Sequence, residues 1–492
     1  MAESVCAAVS KMLLRKQPGH RASGTTDEVR VNWSVLMEAL LTEKVPASLA
    51  ALRLALKPHI ALLNNAVSVA GGMVVNSALG FAYWWIAARF FSLETAGLTA
   101  ATVSITSLIG LSGQLGLGTI LISKAFSFGK KQAGLISAAL IVSSGMAILL
   151  GIAFLVIAWF TSLGLGGITG SRAGIALFVL GCGTSCLIVM LNSAFIGLLR
   201  STFAMAQETA LSFCKLALLA LVAVKWGSTA NEVIVFATWI GAQAISALIF
   251  AAALWKLTRE SVPVPHFGVV RGFMRVSLSH HLLDLVIQTP ILIMPFLVTA
   301  ALSPAVNAAF NSAWTMLRIT IVLPAALSTI IFAIGDKDRN AYASRLRFSL
   351  LLLIVSGAGV VICLTSLADF ILGIFNPEYP AIAANSLRVL SITFIAVSVS
   401  SLYLTIQRLN GQMIRATYVF AAGGFAGLVF ACIGAQFYGL LGLCLGWTFA
   451  VTLQASYAAK LVLQEAWGAR RQARGVTQHV EAPGEECGVP EV

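Results

Sequence analysis

Between Ala66 and Leu463 the chain repeats one pattern, a long apolar run followed by a few polar or basic residues and then another apolar run. A bilayer core about 30 Å thick takes about 20 apolar residues of helix to cross. The runs predict about twelve such spans, at 66–88, 95–123, 133–160, 173–198, 203–224, 233–254, 276–301, 305–334, 348–374, 386–406, 414–437 and 438–462. Backbone amides find no water in hydrocarbon, so the spans must be helices or a closed barrel. The runs are too long and too uniformly apolar for the alternating strands of a barrel. The expected fold class is an all-α polytopic membrane protein of about twelve transmembrane helices in two six-helix bundles.

The spans divide the chain into an N-terminal extension, 1–57, a first bundle, 58–255, a linker, 256–275, a second bundle, 276–463, and a tail, 464–492. Two sets with the same starting side imply a parallel repeat, with a substrate path between the halves. Basic residues gather on one side: Lys124, Lys130 and Lys131, Arg200, the linker residues Lys256, Arg259, Arg271 and Arg275, then Lys337, Arg339, Arg345 and Arg347, and Arg408 and Arg415. The opposite loops hold only Arg89, Arg172 and Lys225. The positive-inside rule then makes both termini cytoplasmic, in a multi-pass protein of the bacterial inner membrane.

Composition agrees. Hydrophobic residues are 58% of the 492 and charged ones 10%, outside the range of a soluble domain. The net charge of +13 is explained by the basic span ends, so no nucleic-acid partner is expected. The eight cysteines lie mostly in apolar runs without metal-ligand spacing and read as small packing residues, Cys182 and Cys186 on one helix face included. The extension reads as a retained cytoplasmic segment, and its Trp33 to Leu56 stretch is either a surface amphipathic helix or a poorly ordered tail.

Polar residues within the spans are few, and each asks for a partner, a wet cavity or a function. Span seven carries Ser277, His281, Asp284 and Gln288 on one face, with His280 one turn before Asp284. This is either a protonatable or cation-binding site, which makes Asp284, His281 and His280 the ion-coupling candidates, or a satisfied helix contact. Span eight repeats the spacing with Asn307, Asn311, Trp314 and Arg318. A guanidinium offers forked donors that match phosphate or carboxylate oxygens. Arg318 therefore either binds an anionic group in a cavity or pairs with Asp284 or Glu208. Arg388 on span ten is a substrate contact or a snorkelling arginine. Asn76 and Gln114 add uncharged polarity on spans one and two, and Glu208, Ser212 and Lys215 form a stripe on span five that interhelical hydrogen bonding would explain. The substrate-binding candidates are thus Arg318, Asn311, Asn307, Arg388, Asn76 and Gln114. There is no phosphate-cradling loop, zinc-ligand helix or nucleophile elbow, so neither an enzyme nor a cofactor is expected.

Three segments carry a family resemblance. Ala87 to Gly97, reading AARFFSLETAG, looks like a turn after span one with an arginine, a capping Ser92 and a glycine opening span two. Leu323 to Phe332, LPAALSTIIF, is similar to the family's end of span eight, although Ala333-Ile334-Gly335 stands where a proline usually follows. Ile374 to Tyr379, IFNPEY, followed by Leu387-Arg388-Val389-Leu390, looks like the loop into span ten. Together, over about residues 66 to 463, they resemble the Wzx-type polysaccharide flippases of the MOP superfamily, which also contains the multidrug and toxic-compound extruders. The resemblance implies alternating access in a cavity between two bundles and a polyprenyl-diphosphate-linked oligosaccharide as cargo. It also implies proton or sodium coupling, contact with membrane lipids and work alongside a polysaccharide polymerase. Arg318 would attract the diphosphate and Asp284 would serve coupling. A small-molecule extruder on the same fold is the first alternative. A membrane glycan polymerase or ligase is the second, and the short outward loops leave it little room.

Overall fold

The computed structural model describes residues 75–125, 132–161, 165–258, 265, 267–322, 324 and 339–476. The N-terminal extension with its amphipathic stretch, Lys130, Lys131 and Lys337, most of the Leu323–Phe332 segment and the tail beyond Val476 lie outside these residues.

The described helices are α1, residues 75–90, α2, Leu93–Gly113, α3, Leu117–Lys124, α4, Gln132–Thr161, α5, Arg172–Gly197, α6, Ser201–Trp226, and α7, Glu232–Leu257. They continue with α8, Phe267–Ala301, α9, Pro304–Thr320, α10, Arg339–Ser366, α11, Ala368–Phe375, α12, Tyr379–Leu409, and α13, Met413–Val476. Nine of the helices found among the described residues are long and apolar enough to cross a membrane. One of these, within α13, is two helices joined across non-helical backbone at Tyr438 and Gly439. No strand occurs among the described residues, so the all-α membrane fold expected from the apolar runs is the fold observed.

Short loops fix the span ends through side-chain caps. Ser92 accepts from the Thr95 amide at 3.1 Å, Ser171 from Gly174 at 3.0 Å, Asn231 from Ile234 at 3.0 Å and Ser303 from Val306 at 3.2 Å. Each satisfies an amide that the first helical turn leaves open, and Pro304 sits where its missing N–H costs nothing. On the outside, Val224 is 88% exposed, Trp159 78% and Leu248 73%, which only a hydrocarbon surround tolerates around so many helices.

Two sequence expectations change in detail. Span two is broken: Leu115 and Gly116 take φ of +50° and +74°, so α2 stops and α3 restarts. Apolar periodicity does not register such a break, because the residues on either side stay apolar. Span nine likewise divides at Leu367 into α10 and α11. In addition, α8 starts at Phe267, inside the stretch read as a linker.

Contacts sort the helices into two groups. α2 to α7 pack among themselves, as do α8 to α13, and the seam runs where α2 meets α8 and α9, with α3 and α4 also touching α8. The approach there is extreme: a Cβ on Gly97 would lie 1.7 Å from the Pro304 carbonyl oxygen. Asn307 crosses the same point, its Nδ2 donating to the Gly97 carbonyl at 2.8 Å. Nearby, Asn376 donates to the Ala88 carbonyl at 3.0 Å and the Trp85 indole to the Ile374 carbonyl at 2.9 Å. Phe81 packs edge-on against Phe375. These contacts close one end of the seam with backbone acceptors and an aromatic pair.

Gly97→Ala should therefore force α2 and α9 apart and cost about 1–3 kcal/mol by overpacking. Gly145→Ala, in α4 with nothing within 4 Å of the new methyl, should be neutral or stabilise by up to about 1 kcal/mol through helix propensity. Thermal unfolding of the two variants in detergent checks the contrast.

Candidate functional site

One turn beyond the closed contact the helices diverge around a cavity of about 360 Å³. α1, α2, α6 and α7 supply one wall and α8 and α9 the other. Ala100, Val103, Ser104 and Ser107 face it from α2, and Asn311, Trp314, Thr315 and Arg318 from α9. The alternation arises because a helical face repeats every three or four residues, so the face that opens below Gly97 and Asn307 carries these side chains.

Among the described residues three charged ones line it: Arg318, Lys215 and Glu208. Arg318 is exposed, and among the described residues it has no ion-pair partner. The alternative of a structural pair with Asp284 or Glu208 is not what the geometry shows. Lys215 lays its Nζ 3.6 Å from the centre of the Trp239 ring, where the electron-rich face offsets part of the lost hydration. Glu208 accepts from Asn192 Nδ2 at 3.2 Å and interacts electrostatically with Lys215, two turns along the same face. The Asn76 side-chain oxygen Oδ1 and the Trp239 indole nitrogen are buried beside the wall without a hydrogen-bond partner.

Aromatic rings line the α1 and α7 side. Tyr83, Trp84 and Trp239 contact one another, with centroids 5.1 Å apart for Tyr83 and Trp239. Trp314 is more constrained: Phe310 stacks on it, Trp447 meets it edge-on, and its indole donates to the Ile291 carbonyl at 3.3 Å. Packing occupies most of that ring.

Of the residues singled out in the sequence, Arg318, Asn311 and Asn76 come together at the cavity wall. Asn307 is spent on the seam. Gln114 is buried at the break between α2 and α3, its Nε2 without a partner and its backbone carbonyl accepting from Ser143. Arg388 is bound by Asp369, Asn385 and the Thr365 carbonyl, away from the cavity. That cage, with a carboxylate one helix away, explains why this arginine needs neither cargo nor snorkelling. His281 is buried, its Nε2 without a hydrogen-bond partner, and it sits close to Asp284; neither residue lines the cavity. The side chain of His280 lies outside the described residues. Glu208 and Lys215 are the wall residues that the sequence did not single out. Their spacing with Ser212 was visible as a stripe, but a stripe alone does not say which neighbour it faces. Among the described residues no group of His, Cys, Asp and Glu side chains is arranged to hold a metal.

A water-filled cavity should make its wall reactive to polar reagents. In a chain lacking Cys6 and Cys487, Ser212→Cys should be labelled by a water-soluble maleimide much faster than Asn307→Cys, as a gel-shift time course would show.

No protein-family model and no curated protein matches the chain. Solved structures do. An inward-facing multidrug resistance MATE family transporter of the MOP superfamily aligns over 83% of this chain and 96% of its own, with a TM-score of 0.60 and 15% identity. An outward-facing structure of such a transporter aligns over 82% and 96%, with a TM-score of 0.54 and 14% identity. A MOP superfamily transporter from Pyrococcus furiosus, described as having a binding pocket of reversed polarity, aligns over 82% and 96% at a TM-score of 0.53 and 15% identity. At such identities the likeness concerns architecture: this chain has the fold of the MATE transporters.

Proposed function

We propose that the protein is a transporter that moves a polyprenyl-diphosphate-linked oligosaccharide repeat unit across the inner membrane by alternating access. The observation that carries this reading is Arg318, a permanent cation with no ion-pair partner among the described residues, facing a cavity between two helix groups. Such a charge within a membrane domain is costly unless water or an anion meets it. Lys215 on the opposite wall adds a second cation, and the polar lining side chains Ser104, Ser107, Ser212, Asn311 and Thr315 suit a sugar. Polar side-chain ties across the seam, Asn307 to Gly97, Asn376 to Ala88 and Trp85 to Ile374, gather at one end, where a closure could break them. Proton or sodium coupling fits this scheme. His281 and Asp284 are its candidates on α8, where the buried His281 leaves its Nε2 without a partner beside Asp284.

The second reading, a small-molecule extruder, is favoured by the multidrug description of the structures sharing the fold. Two cations against one carboxylate argue against organic cations as its cargo. For the P. furiosus transporter, reversed polarity of the binding pocket suggests a different function.

A strain lacking the protein should accumulate lipid-linked repeat units on the cytoplasmic face. Arg318→Ala should reproduce most of that defect, Arg318→Lys part of it, and Arg388→Ala little, at a stability cost under about 1 kcal/mol for a solvent-screened pair. Normal polysaccharide export in the null strain together with lost dye efflux would select the extruder instead.

A further inference from the structure

We propose that Glu208 is the group that takes up a proton when an anionic cargo enters the cavity, so that cargo and proton bind together. The inference rests on the reading of the cargo as anionic. It starts from the charge balance of the wall. With Glu208 ionised, Lys215 and Arg318 leave the lining residues at a net charge of one positive. A diphosphate brings about two negative charges into the same low-dielectric space. Glu208 and the cargo then compete for the same cations, and protonating the carboxyl removes the repulsion.

The surroundings of Glu208 support this role. Lys215 shares its helix face and interacts with it electrostatically, but the ammonium is also held over Trp239, so it is not a closed salt bridge. Asn192 on α5 donates one hydrogen bond to Oε1 at 3.2 Å. From α9 the charged group at the wall is Arg318, and from α1 the titratable one is Tyr83, whose hydroxyl pairs with Thr238 of α7 at 3.5 Å. The lining residues of α2 are uncharged, and α8 offers Ile291, Leu292 and Pro295. His281 and Asp284 are not at the wall, so among the described residues Glu208 is the carboxylate that the cargo meets. By linkage, whatever factor the cargo adds to proton affinity, the proton adds to cargo affinity.

The test uses the purified full chain in detergent with farnesyl diphosphate and inorganic pyrophosphate as probes. Calorimetry in buffers of different ionisation enthalpy counts protons taken up on binding. The wild type is expected to take up more protons than Glu208→Gln, with Glu208→Asp retaining the uptake. Its Kd should tighten as pH falls by up to about tenfold per pH unit beyond the slope of Glu208→Gln, whose remaining slope reports the probe's own titration. Difference infrared spectra of the wild type alone should show a protonated carboxyl C=O band on adding either probe. Equal proton counts in wild type and Glu208→Gln, or no such band despite binding, would overturn the assignment while leaving the anionic cargo intact. Failure of the wild type to bind either probe across the pH range would instead remove the anionic cargo, and this inference with it.

Discussion

The approach of α2 to α9 at Gly97 and Pro304 sets the geometry of everything below it. Two transmembrane helices meet there through backbone, with no side chain between them, and Asn307 ties the contact by donating to the Gly97 carbonyl. Because the helices touch at this end and then diverge, their next turns face open space. Ala100 follows Gly97 by one turn and Asn311 follows Asn307 by one turn, and both line the cavity. Small residues at such crossings substitute for the hydrophobic driving force that is missing inside lipid.

Within that frame the placement of charge is economical. Arg388 is satisfied locally by Asp369 and costs the membrane domain little. Lys215 is half-satisfied, with an aromatic face on one side and a carboxylate along its helix. Arg318 has neither, and it is exposed toward the cavity. The three basic residues thus form a gradient of satisfaction, and the two less satisfied ones both line the cavity between the helix groups. A guest with oxygen acceptors completes what the protein leaves open.

Much of this was legible in the residues. Apolar runs set the spans, Ser92 capped α2 as its position implied, and the spacing of Asn311 and Arg318 placed them on one face. What one-dimensional spacing does not contain is the identity of the neighbour. Asn307 shares the stripe of Arg318 but lies at its end, where α2 is in contact, and so becomes part of the seam. Glu208, Ser212 and Lys215 have the spacing of Ser277, His281 and Asp284, yet the first stripe faces the cavity while His281 is buried and neither it nor Asp284 lines the cavity. The helix break at Leu115 left no hydrophobic signature, since only backbone dihedrals record it.

That break changes how force travels along span two. An unbroken helix is a stiff rod, and displacement at one end reappears at the other. At Leu115 and Gly116 the ladder of i to i−4 bonds is interrupted, and α3 packs on α5 while α2 packs on α9. Both segments share α5 and α8 as neighbours, but α2 is the one that meets α9, so a tilt passed from α9 to α2 can be taken up at the joint while α3 keeps its place against α5.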